Sequence, residues 1–176
     1  MKKFRLLLLD ANVVIELFRQ GLWNKLLESC DVYLSRTVAE VEAHFYRDSQ
    51  GDRQDFDLQP CIQAGKVVIF DILPSDLATF RAQFDATYLE RLDAGEAESL
   101  AYLINSATPC MICSADKIVY RVLGNTNRDE QGISLEEVLQ QIGLGRSLSW
   151  PFAKAFRKTW TKKGFQEGLG DIGREL

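Results

Sequence analysis

Short apolar runs, each closed by a turn or cap residue and followed by a helical pattern, recur along this chain, and that alternation constrains its fold more than any other feature. Phe4 to Leu9 has the length of a strand and ends at Asp10 and Asn12, both turn and helix-cap types. Asn12 opens an apolar-periodic helix over 13–18, and Gly21 separates it from a second helix through Leu27. Val32-Tyr33-Leu34 is a second run, with Ser35 and Thr37 as caps for a helix over 38–46; residues 48–60 are polar, hold Gly51 and Pro60, and read as a loop. A third run, Val-Val-Ile-Phe within 66–73, precedes a long helix that Pro74-Ser75-Asp76 starts and Gly95 breaks. The next helix begins at Glu96, with Ala97, Leu100, Leu103 and Ile104 on its apolar side, and Met111 to Cys113 is a fourth strand with Asp116 just past its end. Helices through Val122, over 133–142 and over 150–165 complete the chain. Strands alternating with helices imply βαβ units around a central parallel sheet of four to five strands, an α/β fold.

With 176 residues, 46% hydrophobic and 26% charged, the chain has the size and composition of one folded domain, which excludes disordered and collagen-like readings. We expect a domain over 1–146 and a basic, aromatic helix with a flexible tail over 147–176. The early apolar run 6–9 is too short for a secretory segment or a membrane span, so a cytoplasmic protein with no membrane partner is expected. The four cysteines suit core packing; Cys110 and Cys113 form a C-x-x-C for which a redox role is the alternative, and zinc would need ligands that Cys30 and Cys61 do not supply by spacing. A single histidine, His44, excludes catalysis by paired imidazoles. Acid–base or metal chemistry must therefore come mainly from carboxylates.

Sites in open parallel sheets form outside the carboxyl ends of the strands. Asp10 and Asp116 stand there, and Glu40 and Glu98 lie near the starts of following helices. Carboxylates gathered from such distant positions raise one another's pKa and must take up protons, pair with cations or hold a divalent metal. Oxygen donors without Cys or His suit Mg²⁺ or Mn²⁺, and with them metal-assisted phosphodiester hydrolysis. Acids at helix N-termini are also favoured simply by the helix dipole.

Four segments, Leu-Leu-Leu-Asp-Ala-Asn-Val-Val-Ile (7–15), Ser-Arg-Thr-Val-Ala-Glu-Val (35–41), Gly-Glu-Ala-Glu-Ser-Leu-Ala (95–101) and Ile-Cys-Ser-Ala-Asp-Lys (112–117), resemble in order the four acidic motifs of PIN domains, metal-dependent ribonucleases that include the VapC-type toxins. The resemblance covers residues 4–124. It implies a three-layer α/β/α sandwich, single-stranded RNA as substrate, Mg²⁺ or Mn²⁺ held by Asp10, Glu40, Glu98 and Asp116 as catalytic acids, and Asn12 and Ser114 orienting carboxylates or water behind them. An antitoxin protein or a second copy of the chain is an implied partner. Two assignments stay open. Positions two apart on a helix are rotated by about 200°, so Glu96 and Glu98 cannot both face one pocket unless Glu96 lies in an unwound first turn; family register favours Glu98 and the apolar stripe favours Glu96. Glu40 and Glu42 divide in the same way, with Val38, Val41 and Phe45 drawing Glu42 to their stripe.

Lys154, Arg157, Lys158, Lys162 and Lys163 form a run without an acid, interleaved with Phe152, Phe156, Trp160 and Phe165. Removing these five cations from a net charge of −4 leaves −9, so the chain is electrically polarised. The run reads as a guide for an RNA backbone, as an amphipathic helix docking its aromatics with lysines in water, or as a surface for a protein partner. Two functional classes follow: a metal-dependent endoribonuclease, and a non-catalytic PIN-like module binding RNA or protein. A phosphatase using Asp10 as nucleophile is a third, disfavoured by Asn12 where that chemistry usually places a second Asp.

Overall fold

The computed structural model describes residues 4–175, the side chain of Arg5 excepted. In chain order its strands are β1 (Phe4–Leu9), β2 (Cys30–Ser35), β3 (Phe45–Arg47), β4 (Arg53–Asp55), β5 (Val67–Phe70), β6 (Met111–Cys113) and β7 (Gly132–Ile133). Five of them make one all-parallel sheet in the spatial order β5-β2-β1-β6-β7. The helices are α1 (Ala11–Arg19), α2 (Trp23–Ser29), α3 (Gln59–Gln63), α4 (Pro74–Arg81), α5 (Ala94–Asn105), α6 (Lys117–Asn125), α7 (Leu135–Gln141) and α8 (Lys154–Leu169).

The leucine run works because a strand in the middle of such a sheet is covered on both faces. Leu7 and Leu9 pack into one core with Val13, Leu17, Leu26 and Leu139, whereas Leu8 packs into a second core with Phe80, Leu100, Val119 and Leu123. All three leucines are fully buried, and each stabilises the fold by about 2 kcal/mol relative to exposure. The result is the expected α/β/α layering. No described helix is long and apolar enough to cross a membrane.

Topology fixes where ligands can reach. From β1 the chain builds outward through β2 to β5, then returns across the sheet to β6 on the other flank of β1 and continues to β7. The direction of winding therefore reverses between β1 and β6, and at that point helices on opposite faces diverge and leave a crevice beyond the strand ends. Leu9 is registered with Cys113, so the residues that follow them, Asp10 and Ser114, flank the crevice.

Several local expectations are corrected. The helix over 38–46 is a single π turn, Val38–Glu42, followed by an antiparallel hairpin of β3 and β4 and then by α3, where a loop was expected. Arg47 and Arg53 pair across the hairpin, and Asp48 stabilises its turn by accepting from the backbone N–H groups of Gln50 and Asp52. Nor does one helix run from Pro74 to Gly95. α4 ends at Arg81, and Gly95 lies inside the first turn of α5. Residues 154–175, where a flexible tail was expected, are packed against the rest of the domain. α8 runs parallel to α6 at very close range: a Cβ on Gly164 would stand 2.0 Å from the Arg121 carbonyl oxygen, and one on Gly168 2.6 Å from that of Asn125. Here glycine serves contact, not mobility. Beyond α8, Arg174 bridges to Phe84 and bonds Asn125, and Glu175 N–H donates to Gln83 O at 3.2 Å. α8 thus completes the outer layer over α6, and its buried Phe156 meets Tyr120 edge-on at 6.1 Å.

Candidate active site

Three helices begin at the crevice, each with an aspartate at its start. Asp10 caps α1 by accepting from Val13 N–H at 2.9 Å, Asp93 caps α5 through Glu96 N–H at 2.8 Å, and Asp116 caps α6 through Ile118 N–H at 3.0 Å. Each carboxylate satisfies an orphan N–H and sits at the positive end of a helix dipole, which offsets part of their mutual repulsion. Asp10, not Asn12, is the cap of α1; Asn12 is exposed in the first turn.

Ser114 joins the two strand-end acids. Its hydroxyl donates to Asp10 Oδ2 and accepts from Asp116 N–H at 2.9 Å, while Ala115 N–H donates to Asp10 Oδ2 at 3.0 Å. Tyr120 holds this turn from below by donating to the carbonyls of Ser114 and Ile133, at 2.8 and 3.0 Å. Ser114 therefore links the carboxylate of Asp10 to the backbone N–H of Asp116. Asp10 is 1% exposed, and burial lifts its pKa to about 6 despite the hydrogen bonds from Ser114, Val13 and Ala115.

Glu96 closes the reciprocal capping box by accepting from Asp93 N–H at 3.2 Å. It is 2% exposed, and its pKa rises to about 9, first through burial and then through the fields of Asp10, Asp93 and Asp116. Of the pair left open by the sequence, Glu96 thus shares the electrostatic neighbourhood of both strand-end aspartates. Glu98 stands farther along the rim and accepts from Thr37 Oγ1 at 2.8 Å.

Glu40, expected among the metal ligands, points elsewhere. It pairs with Arg36 at 2.7 Å, and Arg36 also grips Asp71 through two nitrogens. Glu42 takes the inward place. The π turn closes with an i→i+5 bond from Ala43 N–H to Val38 O at 3.0 Å, and this wider turn carries Glu42 round to the start of α5, where it accepts from Gly95 N–H at 3.2 Å. Gly95 permits that approach, since a Cβ there would lie 2.4 Å from Glu42 Oε2. The Glu42 pKa is raised by burial and by Asp93, Glu98 and Asp10. Asp93, which the motif reading passed over, is likewise raised by burial and by Asp116 and Glu98. Its sequence signal is the Asp93-x-x-Glu96 spacing of a capping box just before an apolar run.

Asp10, Glu42, Asp93, Glu96, Glu98 and Asp116 thus form one electrostatic group, and among the described residues none of the six has an ion pair with Lys or Arg. Its donors are all hard oxygens, the chemistry that suits Mg²⁺ or Mn²⁺. Among the described residues no three His, Cys, Asp or Glu side chains are drawn together tightly enough to coordinate one ion; the acids surround the crevice as neighbours. That arrangement still accommodates Mg²⁺, which keeps several waters and takes one or two carboxylates directly.

The basic run divides. Arg157 is bound by two nitrogens to Glu137, at 2.7 and 2.9 Å, and Glu137 is held down to about 2, the hydrogen bonds of Arg157 and Ser134 outweighing the opposing effect of burial. Lys154 lies 3.7 Å from the same carboxylate. Lys158 and Lys162 are exposed, and Lys163 faces the Trp160 ring at 5.5 Å. Phe156 is buried, in agreement with a docked amphipathic helix. All four cysteines are free thiols and His44 is exposed. Comparison of the chain with models of known protein families, with curated proteins and with solved structures found no match in any of the three.

Proposed function

We propose that this chain is a divalent-metal-dependent nuclease that hydrolyses phosphodiester bonds of single-stranded RNA, the reading to which its four PIN-like motifs also lead. One observation carries it: acids from four separate stretches of sequence meet at the switch point of a parallel sheet, with Asp10 pushed up to about 6 and Glu96 to about 9. Among the described residues no Lys or Arg is ion-paired with these acids, and a divalent ion would supply the countercharge. One or two of Asp10, Asp93, Glu96 and Asp116 would hold it directly and the other acids through its waters. When bound there, Mg²⁺ or Mn²⁺ lowers the pKa of an attacking water and neutralises charge on the phosphate.

The chain's own contribution is orientation. Ser114 and Ala115 fix one oxygen of Asp10 and Val13 N–H fixes the other, so the carboxylate cannot rotate. The capping bonds of Asp93 and Asp116 restrain the other two aspartates, and three helix N-termini add positive potential where an anionic substrate would arrive. Glu40, by contrast, is committed to Arg36 and has no part in this reading.

The decisive assay is cleavage of labelled single-stranded RNA in Mn²⁺, with and without EDTA. Asp10→Asn and Asp116→Asn should each remove at least about a hundredfold of the rate, the scale at which a lost electrostatic contact to the transition state is felt. Cleavage that persists in EDTA, or that survives Asp10→Asn, overturns the proposal. Salt-sensitive RNA binding without cleavage in any metal would make the chain a binding module instead.

A further inference from the structure

Three cations gather beside the carboxylate group without anionic partners. Arg91 lies two residues before Asp93, Lys117 immediately follows Asp116, and Lys163 shares the Trp160 ring with Lys117 from α8. Among the described residues none of the three forms an ion pair. Lys117 and Lys163 are instead held on one indole, with their ammonium groups 5.3 and 5.5 Å from the centre of the Trp160 ring. Both ammonium groups keep their charge close to one ring, and an anion that reaches either of them meets positive potential. The indole fixes them without neutralising them.

Arg91 and Lys117 also line a cleft of about 300 Å³ between the segment 85–91 and α6. Tyr88 forms part of its wall, and Arg121 within it is neutralised by Glu167 at 2.8 Å. Asp85 and Glu90 share the wall. The cleft is therefore mixed in charge, and its uncompensated cations lie next to Asp93 and Asp116 in the chain, Arg91 two residues before the one and Lys117 directly after the other. A volume of this order is at the lower end for a small-molecule site. It suits one nucleotide unit better than a folded partner.

We infer that this corner is the substrate-strand subsite next to the cut: Arg91, Lys117 and Lys163 take the phosphates flanking the scissile bond, and Tyr88 lines the cleft that receives the neighbouring nucleotide. The inference rests on the nuclease reading and deepens it by giving the strand a path. That path runs across the N-terminus of α6, not along the outward stripe of Lys158 and Lys162. Arg157 is excluded from it by its bond to Glu137.

The test measures fluorescence anisotropy of a labelled single-stranded RNA on Asp10→Asn protein in EDTA, across a salt series, so that binding is read apart from cleavage. Arg91→Gln, Lys117→Gln and Lys163→Gln should each weaken binding several-fold at low salt and reduce the slope of log K against log salt by about 0.7 for each lost phosphate contact. Lys66→Gln, which removes one exposed charge just before β5, should change neither. Thermal melts of each variant separate lost binding from lost folding. If the three variants bind as the parent does while Lys158→Gln combined with Lys162→Gln loses affinity, the strand follows the outer stripe and the subsite is refuted. That outcome leaves the nuclease proposal intact wherever the unsubstituted protein cleaves RNA. Conversely, affinity lost at the three positions with no cleavage by the unsubstituted protein leaves this corner as an RNA-binding surface and refutes both the nuclease reading and the subsite's place beside a cut.

Discussion

Replacing Glu96 by glutamine should make the metal-free protein more stable at neutral pH, and the size of the gain should depend on pH in a defined way. An unfolded glutamate titrates near 4.5, whereas Glu96 in the fold titrates near 9. Below pH 4.5 both states carry the proton and Glu96 costs nothing through ionisation. Between those values the unfolded chain releases the proton and the folded chain keeps it, so stability falls by about 1.4 kcal/mol for each pH unit and levels off above 9. At pH 7, about 2.5 units into that window, the loss is about 3 kcal/mol. Glutamine removes the titration but keeps an oxygen that can accept from Asp93 N–H, so the capping box survives. Urea unfolding in EDTA at pH 4.5, 6, 7 and 8 would then give curves for the two proteins that nearly coincide at the lowest pH and separate by about 3 kcal/mol at pH 7, roughly 6–12 °C in Tm for a domain of this size. Adding Mn²⁺ should narrow the separation, because an ion among the carboxylates favours their ionised forms. A gap that does not vary with pH, or a variant that is less stable at pH 7, would refute the burial of Glu96 among like charges.

Other perturbations test the packing that builds the site. Gly95→Ala places a Cβ 2.4 Å from Glu42 Oε2 and 2.6 Å from Val38 Cγ2; it should cost about 1–3 kcal/mol in chemical denaturation and displace Glu42 from the crevice. Gly164→Val drives a larger side chain into the Arg121 carbonyl, a backbone atom that cannot swing aside, and should separate α8 from α6 with a loss above about 3 kcal/mol, measured by thermal melting. Arg157→Gln leaves Glu137 half-buried without its partner and should cost about 2 kcal/mol at pH 7. The folded Glu137 pKa is depressed, so this contribution is present above 4.5 and is lost as pH falls through about 2; unfolding of the two proteins should converge in strong acid.

Asp10 and Asp116 were legible in the sequence because each is fixed by a short-range rule, whereas Ser114 was marked only by resemblance to a motif position. A strand of known length ends, a helix begins, and the residue between them must lie at the sheet edge. Asp93 was equally local, announced by its spacing to Glu96, yet a reading guided by four motifs had no place for a fifth acid. Glu42 was not readable in this way. Ordinary helical spacing cannot anticipate a π turn, and the side chain that faces the crevice depends on the extra residue that turn admits. The C-terminal glycines failed for a related reason: the same residue that loosens a free chain lets two backbones touch when a second helix is present, and only the neighbour decides between them.

Taken alone, the amino-acid order determined the alternation of strands and helices and the placement of Asp10 and Asp116 just past the ends of β1 and β6, consequences of periodicity and of the residue types that close strands and open helices. The tertiary structure decided the rest: that β6 lies against β1 so that Asp10 and Asp116 share Ser114, that Glu42 and not Glu40 turns inward, and that Trp160 gathers Lys117 and Lys163 beside them. Charge interactions and close packing act through space between residues far apart in the chain, and no local pattern carries those distances.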